Sequence, residues 1–103
     1  YQIDPSGTYF AWKANAIGGR NFKNMREFLE KEWTEGLSEA DATKLTVKTL
    51  LEVVDAGVQN MEIAVARLDA PTETVSDDAL AEVIKTVEAE KEEAKRGAEP
   101  MDT

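Results

Sequence analysis

The sequence predicts an α+β fold in the order ββααββα, reading as part of a layered structure. Three observations carry this. Residues 8–17 are aromatic-rich with two usable faces and follow a tight turn. Apolar stripes at helical spacing occur within residues 22–33, 47–54 and 80–87. Between the last two stripes lies MEIAVARL, residues 61–68, apolar or small at six of eight positions.

Tyr1 to Ile3 reads as the end of a strand. Asp4-Pro5-Ser6-Gly7 is turn chemistry: proline fixes φ, aspartate bonds local backbone and glycine tolerates positive φ. Residues 8–17 then form a strand. Tyr9, Ala11, Lys13, Asn15 and Ile17 fall on one side, and Phe10, Trp12, Ala14 and Ala16 on the other. The two strands make an antiparallel hairpin that stops at Gly18-Gly19.

Residues 21–34 are expected to be helical, with Phe22, Met25, Phe28, Leu29 and Trp33 in one stripe. Glu27 and Lys31 are an i,i+4 pair in the favourable order. Gly36 is placed to stop this helix. Ser38, with Asp41 three residues on, resembles a capping box and opens a second helix to about residue 56. Its inward positions are Val47, Leu50, Leu51 and Val54, with Gly57 as its stop. The apolar run at 61–68 predicts a strand covered on both faces. Residues 69–71 break it, and 72–75 return. Ser76 is an N-cap for the third helix, with Asp77 and Asp78 at the positive end of its dipole. Its stripe is Leu80, Val83, Ile84 and Val87. Beyond Val87 only helix-forming charged residues follow, so residues 88–96 project as a charged helix. Residues 97–103 are expected to be a disordered acidic tail. A four-stranded sheet with three helices on one face leaves the other face bare, which calls for a partner layer.

The 103 residues are enough for one domain. Net charge is −9 and uneven: −2 over residues 1–60, with 7 basic and 9 acidic groups, and −7 over residues 61–103, with 5 and 12. Such a surface repels phosphate backbones and anionic lipid, so neither nucleic acid nor membrane is an expected partner. No apolar run approaches the roughly 20 residues that span a bilayer, and no secretory leader is evident. There is no cysteine and no histidine. Disulfides, thiolate metal sites and the commonest general base are excluded.

The remaining chemical candidates each have a plainer role. Asp77-Asp78 could hold a cation, but carboxylates at a helix start usually serve the dipole. Asp4 reads as local turn bonding. Ser6, Ser38 and Ser76 have no histidine to activate them; a Ser-Lys pair remains conceivable. A threonine–amine nucleophile needs an N-terminal threonine, whereas the chain begins with Tyr1 and Thr8 is internal. Gly18-Gly19-Arg20 lacks the spacing of a phosphate loop and reads as a strand-to-helix turn. Trp12 and Trp33 read as core or interface anchors. Residues 88–96, from Glu88 to Arg96, form a solvated helix face that could also contact a basic partner. No catalytic, cofactor-binding or metal-binding residue is assigned, and no cofactor is expected.

YQIDPSGTYFAWKANAIG (residues 1–18), REFLEKEW (26–33), LLEVVDAG (50–57) and NMEIAVARLD (60–69) resemble the alpha-type subunits of the proteasome core particle, in order. The charged stretch EAEKEEAKR (88–96) is most similar to the alpha type-7 group, the fourth ring position. The resemblance covers residues 1 to about 96. It implies an N-terminal-nucleophile hydrolase-like, four-layer αββα sandwich, of which residues 1–96 would be the C-terminal portion, its N-terminal half being absent. It also implies a non-catalytic subunit of the heptameric alpha ring, in cytoplasm and nucleus. Such a subunit meets other alpha and beta subunits and contributes to ring assembly, gating and ubiquitin-dependent degradation. The gate and activator pockets would lie outside these residues. Regulatory caps or assembly chaperones would meet Glu88 to Arg96. Beta subunits typically carry a Gly-Ser-Gly-type turn where this chain has Ala16-Ile17-Gly18-Gly19, which agrees with an alpha assignment. The competing reading is a free acidic adaptor acting outside the particle.

Overall fold

A computed structural model describes residues 1–55 and 57–98. Its elements follow the expected order: β1 (Gln2–Ile3), β2 (Tyr9–Phe10), α1 (Phe22–Glu32), α2 (Glu39–Leu50), a 3₁₀ turn (Val58–Asn60), β3 (Ala64–Arg67), β4 (Ala70–Thr74) and α3 (Asp77–Ala98). The fold is α+β.

The two long strands are far shorter than the sequence predicts, whereas β4 starts at Ala70, inside the break expected at 69–71, and runs to Thr74 rather than 75. β1 and β2 pair antiparallel, with Gln2 opposite Phe10 and Ile3 opposite Tyr9. The turn closes as expected: the Asp4 N–H donates to the Thr8 carbonyl at 2.8 Å and the Gly7 N–H to the Asp4 carbonyl at 2.9 Å. Of the strand expected over residues 8–17, only Tyr9–Phe10 is laddered. Strand structure needs a neighbour to bond, and among the described residues none lies beside residues 11–17. For the same reason the four-stranded sheet is instead two separate two-stranded hairpins, β1-β2 and β3-β4. Residues 61–68 are not covered on both faces. Ile63 is buried and Val65 half-buried, while Ala64, Ala66, Arg67 and Leu68 are exposed.

The helices match their signals more closely. Ser38 caps α2, accepting the Asp41 N–H at 3.1 Å, and Ser76 accepts the Ala79 N–H at 3.2 Å at the start of α3. Gly36, at φ +76°, takes the left-handed turn after α1 that other residues disfavour. α2 ends at Leu50, short of the expected residue 56, and Val54 is exposed. Residue 56 lies outside the described residues. α3 continues through Ala98, so residues 97 and 98 of the expected tail are helical; the rest of that tail, 99–103, lies outside the described residues.

The core sits between α2 and α3. Val47, Ile63, Leu80, Ile84 and Val87 are buried together, with Leu50, Leu51, Val58, Met61, Val75 and Val83 packed around them. Removing a side chain the size of Leu80 from water contributes about 1.5–3 kcal/mol. α1 packs on α2, and Leu29 is its one buried residue. The radius of gyration is 15.7 Å and the extents 58 × 29 × 28 Å. A closed domain of this length would have a radius near 13 Å. The 22 residues of α3 span about 33 Å of the long axis.

Candidate functional site

Two surfaces could act on other molecules. The first is apolar. Tyr1, Ile3, Tyr9, Phe10, Trp12 and Ile17 are 46–88% exposed, along β1, β2 and the segment that follows. Tyr1 and Tyr9 pack ring to ring at 6.2 Å, and Phe10 and Trp12 at 6.5 Å. Large apolar groups this exposed, on both faces of one short segment, are a mark of interaction sites.

Arg26 of α1 holds this surface in position. Its guanidinium lies 5.5 Å from the Trp12 ring centroid and 5.1 Å from that of Phe22, and its Nε donates to the Ala16 carbonyl at 3.0 Å. Cation–π and charge-assisted hydrogen bonding thus tie residues 12–16 to α1. An open cleft of about 450 Å³ remains beside them, lined by Trp12, Asn15, Arg26, Leu29, Glu30 and Trp33 among others. Asn15 Nδ2 donates to Gln2 Oε1 at 2.9 Å, while its buried Oδ1 has no hydrogen-bond partner among the described residues.

The second surface is charged. α3 runs past its last core residue, Val87. The expectation that it projects from Glu88 onward needs correcting. Glu90 pairs with Lys44, and Lys91 approaches Glu52 at 4.0 Å, so this turn is still tied to the α2 region by charge. Exposed Glu92, Glu93, Ala94 and Lys95 come after that tie.

The chemical candidates are scattered. Ser38 and Ser76 act as helix caps, and the Ser6 Oγ donates to Thr8 Oγ1 at 3.0 Å. Gln2 Nε2 donates to Asp4 Oδ1 at 3.4 Å. Asp77 and Asp78 lie in the first turn of α3, both exposed. Gly18 and Gly19, at φ +83° and +81°, form the turn into α1, with Arg20 exposed beside them. Trp33 is half-buried. Among the described residues, no group of three or more acidic side chains is placed to hold a metal ion, and no helix is long and apolar enough to cross a membrane.

One cluster escaped the sequence reading. Arg67 Nε donates to Glu39 Oε2 at 2.9 Å, a second nitrogen pairs with Glu39 Oε1, and Nη1 donates to Glu73 Oε2 at 3.1 Å. The hydrogen bonds from Arg67 hold the Glu39 carboxyl below the usual carboxylate range, and those to Glu39 and Glu73 push the guanidinium further up. The partners are 28 and 6 residues away in sequence, beyond any helical or alternating spacing.

The chain is 51% identical over 96 residues to human proteasome subunit alpha-type 8, covering 91% of this chain and 37% of that protein. It is 48% identical over 92 residues to proteasome subunit alpha type-7 of Dictyostelium discoideum, covering 89% and 36%. It is 47% identical over 106 residues to proteasome subunit alpha type-7-B of Oryza sativa subsp. indica, covering 100% and 41%. The chain therefore spans about two fifths of the length of these relatives. The proteasome subunit family matches residues 1–67, well over half of the chain, and this protein belongs to that family.

Proposed function

We propose that the chain is part of a non-catalytic alpha-type subunit of the 20S proteasome core particle and works through its surfaces. The observation that carries this reading is 47–51% identity to alpha type-7 and type-8 subunits across 89–100% of the chain. The exposed apolar hairpin supports it. In a four-layer αββα sandwich, residues 1–96 would supply later strands and one helical layer, and further strands would lie against residues 1–17. The open cleft and the unpaired Asn15 Oδ1 are what such a layer would fill. Other alpha and beta subunits would be the partners, in heptameric rings, with cytoplasm and nucleus as the setting and ubiquitin-dependent degradation as the process served. Identity along nearly the whole chain favours this over a free acidic adaptor.

The particle gives the test. The tagged full-length subunit, expressed with its partner subunits, is expected to migrate with the core particle on native gels and in fluorescence to occupy cytoplasm and nucleus. Migration only as a small free species would overturn the reading. Removing residues 92–103, which lie past the Glu90 and Lys91 ties, is expected to leave ring assembly intact while weakening contacts with caps or chaperones. Failed assembly would make that extension structural.

A further inference from the structure

The β3–β4 hairpin stands apart from the helical core. Apart from half-buried Val65 its residues are exposed. The buried cluster takes in Ile63 just before the hairpin, and half-buried Val75 just after it packs against that cluster, but no residue of either strand does. The Val75 N–H donates to the Ile63 carbonyl at 2.8 Å, closing the hairpin's base. Beyond the base, among the described residues, Arg67 ties the strands to a helix: its guanidinium joins β3, β4 and the first residue of α2. Arg67 follows a register shift between Val65 and Arg67. Irregularities of this kind re-aim the side chains beside them.

We propose that Arg67 is a positioning residue. It sets the pitch of the β3–β4 hairpin on α2, and so the direction in which the hairpin meets the neighbouring layer of the subunit. The inference rests on the alpha-subunit reading above. Most exposed ion pairs contribute little to stability, but bidentate arginine–carboxylate geometry and networks of several charges are the recognised exceptions. Both apply here. Arginine is required because its planar fork engages two oxygens of Glu39 while a third nitrogen reaches Glu73; lysine presents a point charge with no fork. Among the described residues, no side chain of either strand joins the apolar cluster around α2 that could duplicate the clasp.

The test is amide hydrogen exchange on the full-length subunit assembled with its partners, comparing wild type, Arg67→Ala and Arg67→Lys. Exchange over residues 64–74 is expected to rise about threefold to fivefold in Arg67→Ala, the upper range for an exposed pair. Arg67→Lys should fall between the two. Exchange at Val47, Leu80 and Val87 should not change. In about 0.5 M salt the wild-type hairpin should approach the alanine variant. Wild-type exchange in Arg67→Ala would overturn the proposal. So would an equal rise in hairpin and core, which would make Arg67 a general stabiliser. Failure of the wild-type subunit to enter the particle would count against the alpha-subunit reading instead, and the hairpin comparison would then be read on the unassembled subunit.

Discussion

The α2–α3 core and the β1–β2 hairpin treat their apolar side chains oppositely. Val47, Leu80 and Val87 are at most 1% exposed, whereas Tyr1, Ile3 and Tyr9 are 67–88% exposed. The difference lies in where the neighbours come from. A helix satisfies its backbone within itself and needs only a second stripe to bury its own, which α2 and α3 offer each other. A strand needs a neighbouring strand to bond and a layer to bury its apolar face. β1 and β2 have each other, but among the described residues no further strand pairs with them, and Tyr1, Ile3 and Tyr9 stay exposed. The first region buries its apolar groups within the described residues and the second leaves them exposed.

The largest expected effect breaks this contrast from the core side. Leu80→Ala should cost about 2–5 kcal/mol, read as a lowered urea midpoint, because the site is fully buried between packed helices. In the free chain Tyr9→Ser should change stability by no more than about 0.5 kcal/mol, as exposed substitutions usually do. In the assembled particle Tyr9→Ser should be costly. A large loss already in the free chain would mean the hairpin is packed there.

The helix caps come next. Ser76→Ala and Ser38→Ala should each cost about 1 kcal/mol, since each removes the acceptor for one N–H at a helix start. Thermal melts check this, and Ser→Asp at either site should restore most of the loss. The smaller ion-pair effects sharpen the comparison. Lys44→Met should cost at most about 1 kcal/mol and lose its effect in high salt, because both partners are largely hydrated.

The pH dependence of Glu39 is the subtlest. Its carboxyl is held below the ordinary range in the folded chain. Its contribution is therefore fully present above the unfolded-state value and is lost as pH falls through the folded one. Carboxyl NMR should find Glu39 titrating below the usual carboxylate range, and moving back up in Arg67→Ala. An ordinary titration in wild type would contradict the clasp geometry.

The same contrast explains what was legible in the sequence. Leu80, Ile84 and Val87 follow from helical spacing, and the Ser38 and Ser76 caps follow from side-chain chemistry within three residues. The element order and turn at Asp4–Gly7 were readable for the same local reason. Strand lengths were not, because alternation at residues 8–17 records which faces are apolar, not whether a partner strand is present. The two-sided reading of residues 61–68 failed likewise, through layers that the described residues do not include. The Arg67 cluster left no local signal, since its partners meet only after β3, β4 and α2 are in place. The ties of Glu90 and Lys91 to the α2 region were missed for that reason too. Family membership was legible from the first 18 residues, where turn, aromatic pair and Ala-rich strand fall together.

In an alpha subunit of the core particle the apolar hairpin would be a buried layer. Hydroxyl-radical footprinting of the purified core particle, with the free chain beside it, tests this most directly. Peptides carrying Tyr1, Tyr9, Phe10 and Trp12 should be recovered from the particle and be several-fold less oxidised there than in the free chain. Absence of those peptides from the particle, or equal oxidation in both samples, would contradict it.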